Sequence, residues 1–475
     1  MLSTFRNFAN KMANLLHLGK KRNEFLCFAL DFSYLCLLII NKNITHMTKK
    51  LFVLSIVLGC VLATPAQSVR DEFKRDTHLS ASNYLAYPGP AQSEYEPCPD
   101  GKKPFYISHY GRHGSRYLIN PDEYSRPYEI LHAAHEAGKL TPLGEDVLRR
   151  VKMIKDESYH RLGELTPLGA QQHREIAKRM FERCPEVFEG EANIDAKSTI
   201  VIRCILSMEN ALQQLLIMNP KLHIRHDASE HDMWYMNFKD NKLKGKRRNF
   251  ETDKAYYEYT NKHRNYLRAM KALFNDEDYL QKNVDAWQLN NYLFKLASNL
   301  QSTELHRRIT LYDIFTDDEI YSNWQIANAR WYLDYGACKL NGGMQPYTQR
   351  NLLRRIIEEA DSCIRLQKPG ATLRFGHETM VLPLTCLLEL NDYGIQEDNL
   401  ENVENKGWIN YRVFPMGANI QFIFYRKNPD DRDVLVKILL NENETKLPVP
   451  SDSAPYYRWA DVRRYYLEKL DAYRE

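Results

Sequence analysis

The sequence lacks the features that would place it in several large classes. Its nine cysteines in 475 residues include no Cys-x-x-Cys pair, which argues against structural zinc and against a dithiol redox motif. No unbroken apolar run approaches the roughly 20 residues needed to cross a bilayer as a helix. Charge is not lopsided either. Of 65 Lys/Arg and 61 Asp/Glu, eight and two fall in residues 1–66, leaving 57 against 59 in the rest, a net of −2. Nucleic acid is therefore not an expected partner. His377-Glu378 has no second His four residues after the first, so the metalloprotease helix is missing. What remains is a globular composition, 44% hydrophobic and 27% charged, too long for one simple core. Two domains, or one domain with a large insertion, are expected.

The first 66 residues read differently from the rest. Met47-Thr-Lys-Lys opens a short basic segment, Leu51–Leu62 is apolar or small throughout, and Ala63-Thr-Pro-Ala66 offers small residues for cleavage. That is the form of a secretory signal peptide over 47–66, with 1–46 as an upstream extension. The body is expected to be secreted or periplasmic. Membrane contact is expected only if the leader is retained as an anchor or lipidated at Cys60. Cys27 and Cys36 also fall in the leader. Cys98, Cys184, Cys204, Cys338, Cys363 and Cys386 remain, and export permits either disulfides or buried thiols.

Residues 76–104 read as an extended lead-in. Short β-prone runs follow at Phe105–Tyr110, Thr199–Ile202, Ala371–Phe375, Ile420–Tyr425 and Val434–Leu440, separated by helical patterning. The expected fold is a doubly wound α/β sheet, built from 80–206 and 356–475, with a mainly helical domain inserted over 207–355. Gly-x-Leu-Thr-Pro-Leu-Gly occurs at 138–144 and again at 163–169. Thr followed by Pro is a helix start, because the hydroxyl caps a free amide and proline suits the first turn. The insertion contains the basic run Lys242–Arg248, either a solvated loop or a lip that attracts a polyanion.

The chemistry concentrates in three places. Arg112-His113-Gly114-Ser115-Arg116 directly follows the first strand and brackets an imidazole with two guanidiniums, whose planar donors fit phosphate oxygens. The glycine would let backbone approach a bound group. Arg203 closes the expected second strand, and His377-Glu378 follows the third. Ligands of open α/β sheets sit at these carboxyl ends.

In this order the three elements resemble the histidine acid phosphatase branch of the histidine phosphatase superfamily, and within it the multiple inositol polyphosphate phosphatases and phytases. Gly163–Gln172, Arg203–Met208, Phe414–Asn419 and Leu439–Glu442 extend the likeness over most of residues 80–470. The resemblance implies that His113 becomes phosphohistidine, that Arg112, Arg116, Arg203 and His377 hold the phosphoryl group, and that Glu378 protonates the leaving oxygen. It implies a small phosphorylated substrate such as an inositol polyphosphate, and neither metal nor other cofactor. The alternatives are a broad acid phosphatase and a catalytically inactive polyanion-binding protein. Two positions depart from the family pattern: Leu118 stands where Pro is common, and His377-Glu378 replaces the usual His-Asp or His-Ala-Glu.

Overall fold

The computed structural model describes residues 68–474, so the readings made for 1–46 and 47–66, with Cys27, Cys36 and Cys60, lie outside the described residues. One mixed sheet organises Val69–Glu475, which form a single compact unit. Its main strands are β1 (Lys103–Arg112), β2 (Asn193–Ser198), β3 (His223–Asp227), β4 (Gly370–Gly376), β5 (Asn419–Arg426) and β6 (Leu435–Leu440). They lie in the order β3-β2-β4-β1-β5-β6. β3, β2, β4 and β1 run parallel, whereas β5 and β6 are antiparallel to their neighbours.

Helices cover both faces, as the doubly wound reading requires. On one face Ile107, Ala196, Leu373 and Ile423 pack against Ala177, Met180, Met208 and Leu212 of the helices Pro167–Arg183 and Ile202–Met218. On the other, Tyr106, Ile420, Phe422 and Val436 meet Leu352, Ile356, Val381 and Tyr466. β4, β5 and β6 are buried at every position and are mostly apolar, with the buried Arg374 and Lys437 held by Glu359 and Glu444. A second core is purely helical. Leu131, Val147 and Val151 join Met270, Leu289, Leu293 and Trp324, so the helical layer draws on residues both before and after β2.

Three details differ from the sequence reading. The second strand is Asn193–Ser198, not Thr199–Ile202. Its alternation buries only Ile194, Ala196 and Ser198, a weak signal, while the β-branched run just after it forms a turn with Ile200 and Ile202 exposed. Arg203 thus sits in the first turn of the helix Ile202–Met218 rather than at a strand end. β3 lies inside the stretch read as helical, and as a polar edge strand it carries almost no apolar pattern. The lead-in is not simply extended, since Thr77–Tyr84 winds into 3-10 turns that bury Ser80, Ala81 and Ser82. No helix of the described residues is long and apolar enough to cross a membrane. Cys184, Cys204, Cys338 and Cys386 are buried thiols.

Both Thr-Pro starts cap helices as read: Thr141 accepts from the Gly144 amide at 3.1 Å and Thr166 from the Gly169 amide at 3.3 Å. The second start crosses the loop after β1 at very short range. A Cβ on Gly114 would lie 2.4 Å from the Gly169 carbonyl oxygen, and one on Gly169 would lie 2.2 Å from the Ser115 carbonyl oxygen. Gly114 is therefore constrained to be small by the backbone that crosses it. Gly169→Ala should destabilise the protein by about 1–3 kcal/mol, the usual cost of overpacking, in chemical denaturation. Gly245→Ala, in the helix Asn241–Lys246 with open space around it, should instead be neutral or stabilising by up to about 1 kcal/mol. Equal effects at the two positions would contradict the crossing as the constraint.

Candidate active site

Parallel pairing brings the three motifs to one edge. Arg112 pairs in register with Gly376, so His113 and His377 leave neighbouring strands at the same level, and the His113 amide donates to the Gly376 carbonyl at 2.9 Å. β2 pairs Ser198 with Phe375, and the Thr199 amide donates to the Phe375 carbonyl at 3.0 Å, which delivers Arg203 from the third side. Glu378 is the first residue of the helix Glu378–Leu387, with His377 as its N-cap. All six residues expected from the sequence converge here.

Arg112 is fully buried, and its Nη1 donates to the carbonyls of Asn83 and Phe414 at 2.7 Å each. Its Nε lies 3.1 Å from Glu378 Oε2. Arg116 donates from Nη1 to the Tyr117 carbonyl at 2.9 Å and stands over the Tyr84 ring at 5.7 Å. Arg112 Nη2, Arg116 Nε and Arg203 Nε are buried without a hydrogen-bond partner among the described residues. Buried donors left unmatched are costly, and three that converge on one space describe a receptor for an anion with several oxygens.

His113 is set up as a base or nucleophile. Its Nδ1 lies 2.9 Å from the Gly114 carbonyl oxygen. A carbonyl only accepts, so the ring proton is on Nδ1 and the lone pair on Nε2. Burial, followed by the charges of Arg112, Arg116 and Arg203, holds the imidazole well below its ordinary pKa. His377 is likewise pushed down to about 4, chiefly by burial. Its Nε2 is 3.2 Å from the Thr199 hydroxyl, and its ring centre is 5.8 Å from that of His113.

Glu378 behaves in the opposite sense. Burial alone would raise its carboxyl, but Arg112 and Arg116 outweigh it and bring the group down to about 2. The carboxylate is thus ionised. Its Oε2 is 3.7 Å from His113 Nε2, which puts an internal anion at the mouth of the receptor. His113, His377 and Glu378 also offer ligand-type atoms within 4.8 Å of one another. The three guanidiniums that surround them oppose a cation at that point, so the set suits an anion better than a metal ion.

Several supporting residues were not singled out from the sequence. Ser207 accepts from the Gly114 amide at 3.2 Å, and Gln172 accepts from the Ser115 amide at 2.9 Å; both lie within motifs that carried the family likeness. Cys204 Sγ is 3.9 Å from both ring nitrogens of His377. Asn299 donates to the Arg116 carbonyl at 3.0 Å from the distant helix Ala286–Leu300, and nothing in its sequence context marks it.

Beside the cage lies a cavity of about 550 Å³ that shares Asn83 and Tyr84 with it. Arg247, Arg248, Lys295 and Arg330 line it, together with Trp331, Asp334 and Tyr335. The basic run noted in the sequence therefore divides. Arg247 and Arg248 reach the cavity, whereas Lys242, Lys244 and Lys246 are exposed and do not line it.

The family model of the histidine phosphatase superfamily (branch 2) matches residues 111–441, and the chain belongs to that family. The multiple inositol polyphosphate phosphatase of Bifidobacterium longum, solved with inositol hexasulfate, is 17% identical with a TM-score of 0.62, over 81% of this chain and 96% of that one. The same protein solved with phosphate gives 18% identity and 0.61, over 82% and 98%. The phytase from D. castellii is 15% identical with a TM-score of 0.62, over 83% and 85%. At these identities the likeness establishes the shared fold. A search of curated proteins returns no significant match.

In the ligand-free protein both cage histidines should stay neutral from pH 7 down to pH 5, as read from the ¹⁵N shifts of the ring nitrogens. Their depressed pKa values mean that protons arrive only below that range, whereas an ordinary histidine near 6.5 would be almost fully charged at pH 5. A His113 titration centred near pH 6.5 would contradict the cage electrostatics.

Proposed function

We propose that the chain is an exported phosphomonoesterase that hydrolyses inositol polyphosphates through a phosphohistidine on His113. The observation that carries this reading is the set of unmatched guanidinium donors around a neutral imidazole, opening beside a cavity walled by four more cationic side chains. Export rests on the leader pattern of residues 47–66 alone.

In this mechanism Arg112, Arg116 and Arg203 take the equatorial oxygens of the phosphoryl group, and His377 adds a hydrogen bond. Negative charge spreads over those oxygens in the transition state, where fixed donors stabilise it. His113 Nε2 attacks phosphorus in line with the bond to the leaving oxygen. An incoming phosphate displaces the Glu378 carboxylate from Arg112 and adds negative charge beside it. Both changes raise its pKa, so the ionised group becomes protonated in the complex. It then gives its proton to the leaving alkoxide. In the second half-reaction the same carboxylate takes a proton from the water that attacks phosphohistidine, which regenerates His113 and releases phosphate. The remaining phosphates of the substrate rest against Arg247, Arg248, Lys295 and Arg330.

Glu378→Gln keeps the shape and removes the transferable proton. An inositol alkoxide needs that proton far more than p-nitrophenolate, which leaves as a stabilised anion. The variant should lose at least about a hundredfold in kcat on inositol hexakisphosphate, and much less in the phosphorylation step with p-nitrophenyl phosphate. A uniform small loss on both substrates would place the donor elsewhere. Wild-type turnover of sugar phosphates as fast as of inositol hexakisphosphate would favour a broad acid phosphatase instead.

A further inference from the structure

The cationic wall of the cavity has one carboxylate within it. Asp334 is 8% exposed, near the end of the helix Asp317–Tyr335, and three guanidiniums turn towards it. Arg330, one turn earlier on that helix, meets it with two nitrogens: Nε donates to Oδ2 at 3.0 Å and Nη2 lies 3.0 Å from Oδ1. Arg247 Nε and Arg248 Nη2 approach from a separate segment, to 3.7 and 3.6 Å. Aromatic faces back two of them, Tyr256 at 4.9 Å from the Arg330 guanidinium and Tyr335 at 5.2 Å from that of Arg247.

Three guanidiniums at such range repel one another and would otherwise turn outward to water, each into many rotamers. A single buried carboxylate changes this. It fixes the plane of Arg330 through two contacts and gives Arg247 and Arg248 a common point of attraction, while their remaining donors stay available to the cavity. The arrangement reaches towards the catalytic cage. Tyr335 follows Asp334 directly, and its hydroxyl is held above its ordinary pKa by burial, with Asp334 and Glu378 both among the charges that act on it.

We infer that Asp334 is a positioning residue: by gathering Arg330, Arg247 and Arg248 it builds the subsite that holds a second phosphate group, and so sets the preference for polyphosphorylated over singly phosphorylated substrates. The inference rests on the reading of the cavity given under Proposed function. Asp334 itself does not touch substrate in this arrangement. Its negative charge works against a polyanion at long range, but the ordering of three arginines outweighs that repulsion.

The test is Asp334→Asn, which keeps the size and removes the charge, assayed on inositol hexakisphosphate and on p-nitrophenyl phosphate. KM for the hexakisphosphate should rise about tenfold or more, as expected when one partner of a buried charge cluster is removed, with kcat falling less than about threefold. KM for the aryl ester, which has no second phosphate, should move at least about fivefold less than KM for the hexakisphosphate. In the background of Arg330→Gln, Asp334→Asn should cost less than it does alone, because part of its effect passes through that arginine and part through Arg247 and Arg248. If Asp334→Asn does not yield folded protein, Asp334→Glu keeps the charge but displaces it, and should show the same split in milder form. An unchanged or lower KM on the hexakisphosphate, an equal loss on both substrates, or full additivity with Arg330→Gln would each overturn the inference. A wild-type protein that hydrolyses the aryl ester but not the hexakisphosphate would remove the polyphosphate reading and this inference together. One that hydrolyses both, with Asp334→Asn giving no KM split, would remove the inference alone.

Discussion

Three guanidiniums, two of them buried, at the carboxyl end of one sheet are the constraint on which the rest of the site depends. Arg112 and Arg116 are almost wholly buried, and Arg203 joins them as one of the charges acting on the imidazole between them. So much positive charge in a poorly solvated place needs compensation, and the fold supplies it in two ways. Carbonyls of Asn83 and Phe414 take donors of Arg112, and Glu378 sits against its Nε. Burial, reinforced by these charges, keeps His113 neutral, whereas Arg112 and Arg116 outweigh burial and keep Glu378 ionised. In the proposed mechanism, nucleophile, anion receptor and latent acid all follow from burial and this one set of charges. Exchange of the internal carboxylate for an external phosphate is what would convert Glu378 from counterion to acid.

The backbone makes that arrangement rigid. The Arg112 amide donates to the Ala418 carbonyl at 2.7 Å, and the His113 carbonyl accepts from the Gly417 amide at 2.9 Å, so the catalytic loop is held on one side by the segment before β5. On the other side the Gly114–Gly169 crossing presses it against the start of the helix Pro167–Arg183. Glu442, fully buried, ties that helix down through Arg179 at 2.7 Å and Arg183 at 3.2 Å. The helical core built around Leu289, Leu293 and Trp324 contributes the other half of the site, because it presents Lys295, Arg330 and Asn299.

Much of this was legible in the sequence, and the rest was not for identifiable reasons. β1, β4, β5 and β6 are largely buried and rich in apolar and aromatic residues, so short β-prone runs mark them. β2 and β3 lie towards one edge, where half or more of their side chains are polar, and the exposed Ile200 and Ile202 carry a stronger β-branched signal than β2 itself. Thr141 and Thr166 were readable because capping is local chemistry. Arg112, His113 and Arg116 stand out as a motif after the first strand, whereas Arg203, His377 and Glu378 are legible only through the likeness of all three motifs, in this order, to the family. The crossing of Gly114 with Gly169 was not legible, since it is a through-space constraint between distant segments. Tyr84, Asn299 and Asp334 reach the site only through tertiary packing, and no local pattern announces them.

The identity of the covalent intermediate tests the cage most directly as the site of the chemistry. Protein quenched in alkali during turnover of phosphoryl-labelled substrate, then digested and mapped, should carry the label on His113. ³¹P spectra of the same phosphoenzyme should place the phosphorus on Nε2, since Nδ1 holds the ring proton against the Gly114 carbonyl. Label on another residue, phosphorus on Nδ1, or rapid turnover with no covalent phosphoenzyme at all would contradict the cage as the site of the chemistry.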